Sequence, residues 1–157
     1  MVINQQAFKA SLVGESGVGK STLSRLLRDE EVNVPRKPTV GVDIERVNTR
    51  IGPCMIWDLA GQRRFRVMWD DFMRGSKLTV VVTDSTAQNV MLTKDILERH
   101  VRKNGSKVIA IANKQDLEDR MSPQEIEAAL GIPTYGMVGT NLKNAEKLHK
   151  ILEDNSQ

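Results

Sequence analysis

The chain has 157 residues, of which 39% are hydrophobic, 27% charged and 4% aromatic, enough to bury roughly 70% of its unfolded surface as one domain without disulfides or metal. No apolar run approaches the ~20 residues of a membrane-crossing helix, and the start Met1-Val2-Ile3-Asn4-Gln5-Gln6 has no secretory leader. With a single cysteine, Cys54, the expectation is a reducing, cytoplasmic setting, whereas the excess of 23 basic over 20 acidic residues fits a nucleic-acid face, a phosphate-rich ligand or solubility alone.

Short apolar β-type runs alternate with helical patterns along the chain, as in βαβ units and a largely parallel sheet. Phe8 to Val13 reads as a strand, followed by a Gly-rich turn and a helix with Leu23, Leu26 and Leu27 on one face. Val42 to Arg50 and Met55 to Trp57 read as two strands turned around Gly52-Pro53. Phe65, Met68, Trp69 and Phe72 follow at helical spacing, and Leu78 to Val82 is the next strand. A helix from about Asn89 to Arg102 ends at Asn104-Gly105, where a left-handed cap is cheap. Lys107 to Ala112 is a buried strand, and Ser122-Pro123-Gln124-Glu125 combines a capping box with Pro at the first helical position. Ile126, Ala129 and Leu130 lie behind that cap, a short strand falls around Tyr135 to Gly139, and a last helix points Ala145, Leu148, Ile151 and Leu152 inward. With no repeat or linker in between, residues 1–157 read as one domain.

The segment Gly14-Glu15-Ser16-Gly17-Val18-Gly19-Lys20-Ser21, with Thr22 next, matches G-x-x-x-x-G-K-[ST] between a strand and a helix. Glycines let backbone N–H groups curl around an anion, and the helix N-terminus adds partial positive charge. Lys20 reaches terminal phosphates in such a loop, and the Ser21 hydroxyl ligates Mg²⁺. Chance produces this pattern in about one in a few hundred chains of this length. A nucleoside triphosphate site is the expectation.

The base and the rest of the metal site come from two further motifs. Asn113-Lys114-Gln115-Asp116 follows a buried strand, at the carboxyl edge where α/β sheets bind ligands. A carboxylate at Asp116 accepts two hydrogen bonds from guanine that adenine cannot supply; taken alone, the same four residues read equally well as a polar turn with Asp116 capping a helix. Asp58-Leu59-Ala60-Gly61-Gln62 ends another strand. There Asp58 is placed to hold Mg²⁺ through a water, Gly61 to bring its N–H to a γ-phosphate, and Gln62 to stand beside the attacking water.

In that order and over this length, Gly14 to Ser21, Thr39, Asp58 to Gln62 and Asn113 to Asp116 resemble the small GTPases of the Ras superfamily. Pro38-Thr39-Val40-Gly41, Trp57-Asp58, Trp69 and the N-K-Q-D form are most similar to the Arf branch, while Glu15 to Ser21, Gly41-Val42-Asp43 and Gly61 to Arg66 are similar to Rab proteins. The resemblance implies a three-layer α/β/α G domain with a mostly parallel six-stranded sheet. It also implies bound GTP or GDP with Mg²⁺, hydrolysis of GTP, and two nucleotide-sensitive switches near residues 30–41 and 61–74 that bind regulators and effectors. Thr39 would place its hydroxyl on Mg²⁺ and its N–H on the γ-phosphate, and Thr140 and Asn141 would lie in the loop over the base.

Several residues carry two readings. Arg36 stands three residues before Thr39, similar to the built-in arginine of heterotrimeric G-protein α subunits, and either folds over the γ-phosphate or is a solvated loop arginine. Arg63, Arg64 and Arg66 form the densest basic patch, facing water by default. The stripe of Phe65, Met68, Trp69 and Phe72 is at least half core, yet in the resembling family this helix reads partners. Trp57 and Phe72 match two of three aromatics that Arf proteins present there and Val42 replaces the third, so Trp57, Phe65, Trp69 and Phe72 are expected in a partner surface. Cys54 reads as a half-buried structural thiol, and His100 and His149 as boundary residues. Val2 and the ending Glu153-Asp154-Asn155-Ser156-Gln157 encode no lipid anchor, so membrane contact is expected only through partners. Nothing in the pattern supports nucleic-acid recognition. The rival to a hydrolysing switch is an adaptor subunit that holds GTP with negligible turnover.

Overall fold

The computed structural model of this chain describes residues 6–28 and 41–157. Arg36, Thr39 and the expected first switch up to residue 40 lie outside the described residues. In chain order the elements are β1 (Phe8–Val13), α1 (Lys20–Leu27), β2 (Val42–Thr49), β3 (Gly52–Leu59), α2 (Trp69–Met73), β4 (Leu78–Thr83), α3 (Ala87–Ile96), β5 (Lys107–Ala112), α4 (Pro123–Leu130), β6 (Thr134–Gly136) and α5 (Ala145–Asn155). They build one six-stranded sheet in the order β2-β3-β1-β4-β5-β6. Only β2 runs antiparallel to its neighbour; every other pairing is parallel.

Strand periodicity divides the core into two layers. Leu78, Val80 and Val82 of β4 point with Ile109 and Ile111 toward Leu23, Leu26 and Leu27 of α1 and Leu148, Ile151 and Leu152 of α5. Val81, Ala110 and Ala112 point the other way, toward Val90 and Ile96 of α3, Ile126 and Leu130 of α4, and Trp69 and Met73 of α2. These are the expected three layers, α/β/α. From β1 the chain crosses to the β2 edge and returns through β3, whereas from β4 it proceeds through β5 to β6 at the other edge, so the loops after β1 and β4 diverge and leave a crevice at their carboxyl ends.

Helix ends obey local chemistry. Ser122 and Glu125 form the reciprocal capping box, with Glu125 N–H donating to Ser122 Oγ at 3.1 Å and Ser122 N–H to Glu125 Oε1 at 3.0 Å. The α3 helix begins at a Thr86 cap and continues past Ile96 as a π-turn (Leu97–Val101) and a 3-10 turn (Arg102–Asn104), ending at Gly105 with φ 84°. The last strand stops at Gly136, earlier than expected: Met137 N–H makes the closing ladder bond to Ala112 O, and beyond it Gly139 N–H turns to the Asn113 side chain instead of the β5 backbone.

Two single-residue expectations change. Cys54 is fully buried rather than half-buried, because its β3 position faces the α1–α5 layer, and that burial pushes its thiol up to about 12. His149 lies at the boundary as expected, its Nε2–H donating to Leu27 O at 2.7 Å, and His100 meets Trp69 edge-on at 5.2 Å.

Candidate functional site

The loop from Gly14 to Gly19 joins β1 to α1 at the crevice. Gly14 is pressed against β4, where an added Cβ would come within 2.5 Å of Val82 O. Gly19 takes φ 105° as the N-cap of α1, and no side chain caps the helix there, unlike the starts of α3 and α4. An uncapped start leaves helix N–H groups and their partial positive charge for an anion. Lys20, 6% exposed, adds a full charge: among the described residues its Nζ donates to two carbonyls, Gly14 O at 3.2 Å and Glu15 O at 3.0 Å. Burial holds its ammonium below the usual lysine range, opposed in part by Asp58 and Glu15 and reinforced by Arg66. A buried cation beside an uncapped helix start fits a phosphate, whose oxygens would supply negative charge beyond that of Asp58 and Glu15.

Ser21 follows on α1, and its hydroxyl donates to Oδ2 of Asp58, which is 2% exposed near the end of β3. The register that pairs Leu12 with Asp58 brings that carboxylate beside the loop after β1. A hydroxyl and a carboxylate in contact are hard oxygen donors of the kind Mg²⁺ takes, so the residues fit the ion implied by the motifs. Gly61 crosses over the same loop: an added Cβ there would approach Gly14 O and Ser16 N at 2.5 Å, so only glycine permits this closeness. Gln62 is half-buried and accepts from Arg64 Nε at 3.2 Å through Oε1.

The segment after β5 is stapled to the phosphate loop. Asn113 Nδ2 donates to Val18 O at 3.0 Å, its Oδ1 accepts from Gly139 N–H at 2.9 Å, and Lys114 Nζ donates to Gly17 O at 2.8 Å. One side chain, Asn113, thereby joins three loops. Asp116, Thr140 and Asn141 are exposed around this point, and Asn141 Oδ1 caps the short turn at Leu142–Asn144 by accepting from Lys143 N–H. Thr22 is half-buried on α1. Every expected site residue that is described therefore lies along this one end of the sheet.

Two expectations about residues 61–74 are corrected. Arg66 is no part of a solvent-facing patch: its side chain is 12% exposed, paired with Glu15 at 2.8 Å, and donates through Nε and a terminal nitrogen to Gly61 O at 3.2 and 3.0 Å. Glu15, 51 positions away in sequence, supplies the carboxylate that draws it inward, while Arg63 and Arg64 remain exposed. Trp69, expected among the partner-reading aromatics, is 0% exposed and donates its indole N–H to Ala60 O at 3.0 Å. Phe65, Trp57 and Phe72 stay half-buried, the last two with ring centroids 6.2 Å apart, and Val67 beside them is 83% exposed. Gly139 escaped the sequence reading; its only local signal is a glycine before the Thr140 loop, packed so that a Cβ would lie 3.0 Å from Leu23 and 3.2 Å from Asn113.

A phosphate loop after β1, a carboxylate at the end of β3 and an Asn-Lys-Gln-Asp loop after β5 on this sheet define a small GTPase of the Ras superfamily. The profile of the ADP-ribosylation factor family (Arf) matches residues 1–152. The chain belongs to that family and is a GTP-binding regulatory GTPase. It is similar to ADP-ribosylation factor-like protein 5 of Dictyostelium discoideum, 36% identical over 134 residues, covering 82% of this chain and 72% of that protein. It is also similar to the Ras-related proteins RABA1c and RABA1b of Arabidopsis thaliana, 33% and 32% identical over 154 residues, each alignment covering 88% of this chain and 71% of the relative. Among the described residues no helix is long and apolar enough to cross a membrane.

Proposed function

We propose that this chain is a cytoplasmic molecular switch, folded as one domain, that hydrolyses GTP to GDP and phosphate and engages regulators and effectors through residues 30–41 and 61–74. The observation that carries the reading is the convergence of the buried Lys20, the Ser21–Asp58 pair, the close-lying Gly61 and the stapled Asn113-Lys114 at one end of the sheet. Lys20 and the backbone from Gly14 to Gly19 neutralise the terminal phosphates. Ser21 and Thr39, with Asp58 through a water, would hold Mg²⁺, which would supply positive charge to the phosphates. Asp116 reads the guanine edge, with Thr140 and Asn141 beside it. Gln62 leaves Arg64 to orient the water, and Arg36 adds charge in cis.

Trp57, Phe65 and Phe72, with exposed Val67, form the effector surface, and Trp69 supports it from beneath. Such a half-buried apolar patch suits a partner surface.

Single-turnover hydrolysis of preloaded GTP tests the catalytic half. Gln62→Leu is expected to slow phosphate release by about tenfold or more, since a positioned water is lost while binding is retained. Arg36→Ala in the same assay is expected to slow it less. A wild-type chain that binds GTP but releases no phosphate, alone or with cell lysate, replaces the switch by the GTP-holding adaptor.

A further inference from the structure

Two non-glycine residues among those described have positive φ, Ser85 at 71° and Lys114 at 59°. Left-handed backbone is costly for residues with a Cβ and gathers where surrounding structure over-determines it. Both residues belong to one cluster. Ser85, 0% exposed, lies in the turn between β4 and α3; its hydroxyl donates to Asn113 O at 2.6 Å and accepts from Gln115 Nε2 at 2.9 Å. Its own carbonyl accepts from Met121 N–H at 2.7 Å, and its N–H donates to Thr83 Oγ1 at 3.2 Å. Gln115, the third residue of the Asn-Lys-Gln-Asp loop, also donates from Nε2 to Met121 O at 3.0 Å and from its backbone to Met137 O at 3.1 Å.

The hydroxyl of Ser85 is therefore the point at which the loop's first residue, Asn113, and its third, Gln115, are both tied to the turn after β4. Lys114 lies between the two tied residues and Asp116 directly after them. We propose that Ser85 is a positioning residue for base selectivity: it never touches the nucleotide, but by fixing Asn113 and Gln115 it sets the direction from which the Asp116 carboxylate meets the base. This rests on the guanine reading of the loop given above. The left-handed backbone suits glycine better than serine, and the two hydroxyl bonds, buried away from water, account for serine's place there.

The two effects separate experimentally. Ser85→Gly relieves the backbone and removes the hydroxyl; Ser85→Ala removes the hydroxyl and keeps the Cβ. Affinities for GDP and for inosine diphosphate, which lacks the exocyclic amine that Asp116 reads, are measured by competition, beside the thermal midpoint without nucleotide. The preference for GDP over inosine diphosphate is expected to fall about fivefold in both variants, the worth of one weakened buried hydrogen bond, with the midpoint of Ser85→Gly close to wild type. A merely structural serine weakens both nucleotides equally and leaves their ratio unmoved; an unmoved ratio in both variants overturns the proposal. A wild-type chain with no preference for GDP over inosine diphosphate refutes instead the guanine reading, and this inference with it.

Discussion

Asp116→Asn is expected to exchange the preferred base from guanine to xanthine. A carboxylate offers acceptors only, matching the ring N–H and exocyclic amine of guanine. An amide offers one donor and one acceptor, matching xanthine, which carries a carbonyl where guanine carries the amine. Asp116 is exposed at the mouth, while its neighbours are fixed by Asn113 to Val18 O and Lys114 to Gly17 O. The substitution therefore changes the hydrogen-bond pattern without loosening the loop. Sites that pair a specific polar group reject the mismatched partner by factors on the order of 10⁴, so GDP affinity is expected to fall by about a thousandfold or more while xanthosine diphosphate gains. Competition against a fluorescent nucleotide measures both, and a variant that still prefers GDP removes Asp116 from base recognition.

Lys20→Met is expected to move affinity and stability in opposite directions. The ammonium is buried and, among the described residues, hydrogen-bonded to the Gly14 and Glu15 carbonyls, with Asp58 and Glu15 offsetting its burial only in part, so the nucleotide-free fold bears an under-compensated charge. Methionine keeps the apolar stem and removes that charge. GTP affinity is expected to fall roughly 100-fold, the loss of about 3 kcal/mol of charge-assisted contact, while the nucleotide-free melting temperature rises. The pH dependence has a fixed sign. Burial lowers the folded-state pKa below the ordinary 10.5, so the unfolded chain binds the proton more tightly. The penalty is then fully present below the folded-state pKa and is relieved as pH rises from there toward 10.5, and stability climbs through that window. Lys20→Met removes this climb. A variant that loses stability at neutral pH, or that retains wild-type affinity, contradicts the account of Lys20.

The elements and the three chemical motifs were legible because each is encoded within a short stretch. Alternating apolar runs mark the strands, Ser122-Pro123-Gln124-Glu125 states its own cap, and the glycines around Lys20 describe an anion loop by composition. What stayed hidden depends on residues far apart in the chain. Arg66 reads as one of three surface arginines until β1 and β3 pair and bring Glu15 beside it. Trp69 reads equally as partner-facing or core, and the acceptor at Ala60 O, which satisfies its indole inside, has no local signature. Cys54 reads as half-buried because a strand beside a turn has one outward face, and only the layer of α1 and α5 decides which. Ser85 carries no motif at all; its φ and its two bonds appear only when β4 and β5 lie side by side.

Calorimetric titration of the nucleotide-free chain with GDP, with and without Mg²⁺, and with ADP in parallel, tests the central claim most directly. One GDP site per chain is expected, tightened by Mg²⁺, with ADP binding weaker by several orders of magnitude. Equal binding of ADP and GDP, or no binding of either, contradicts it.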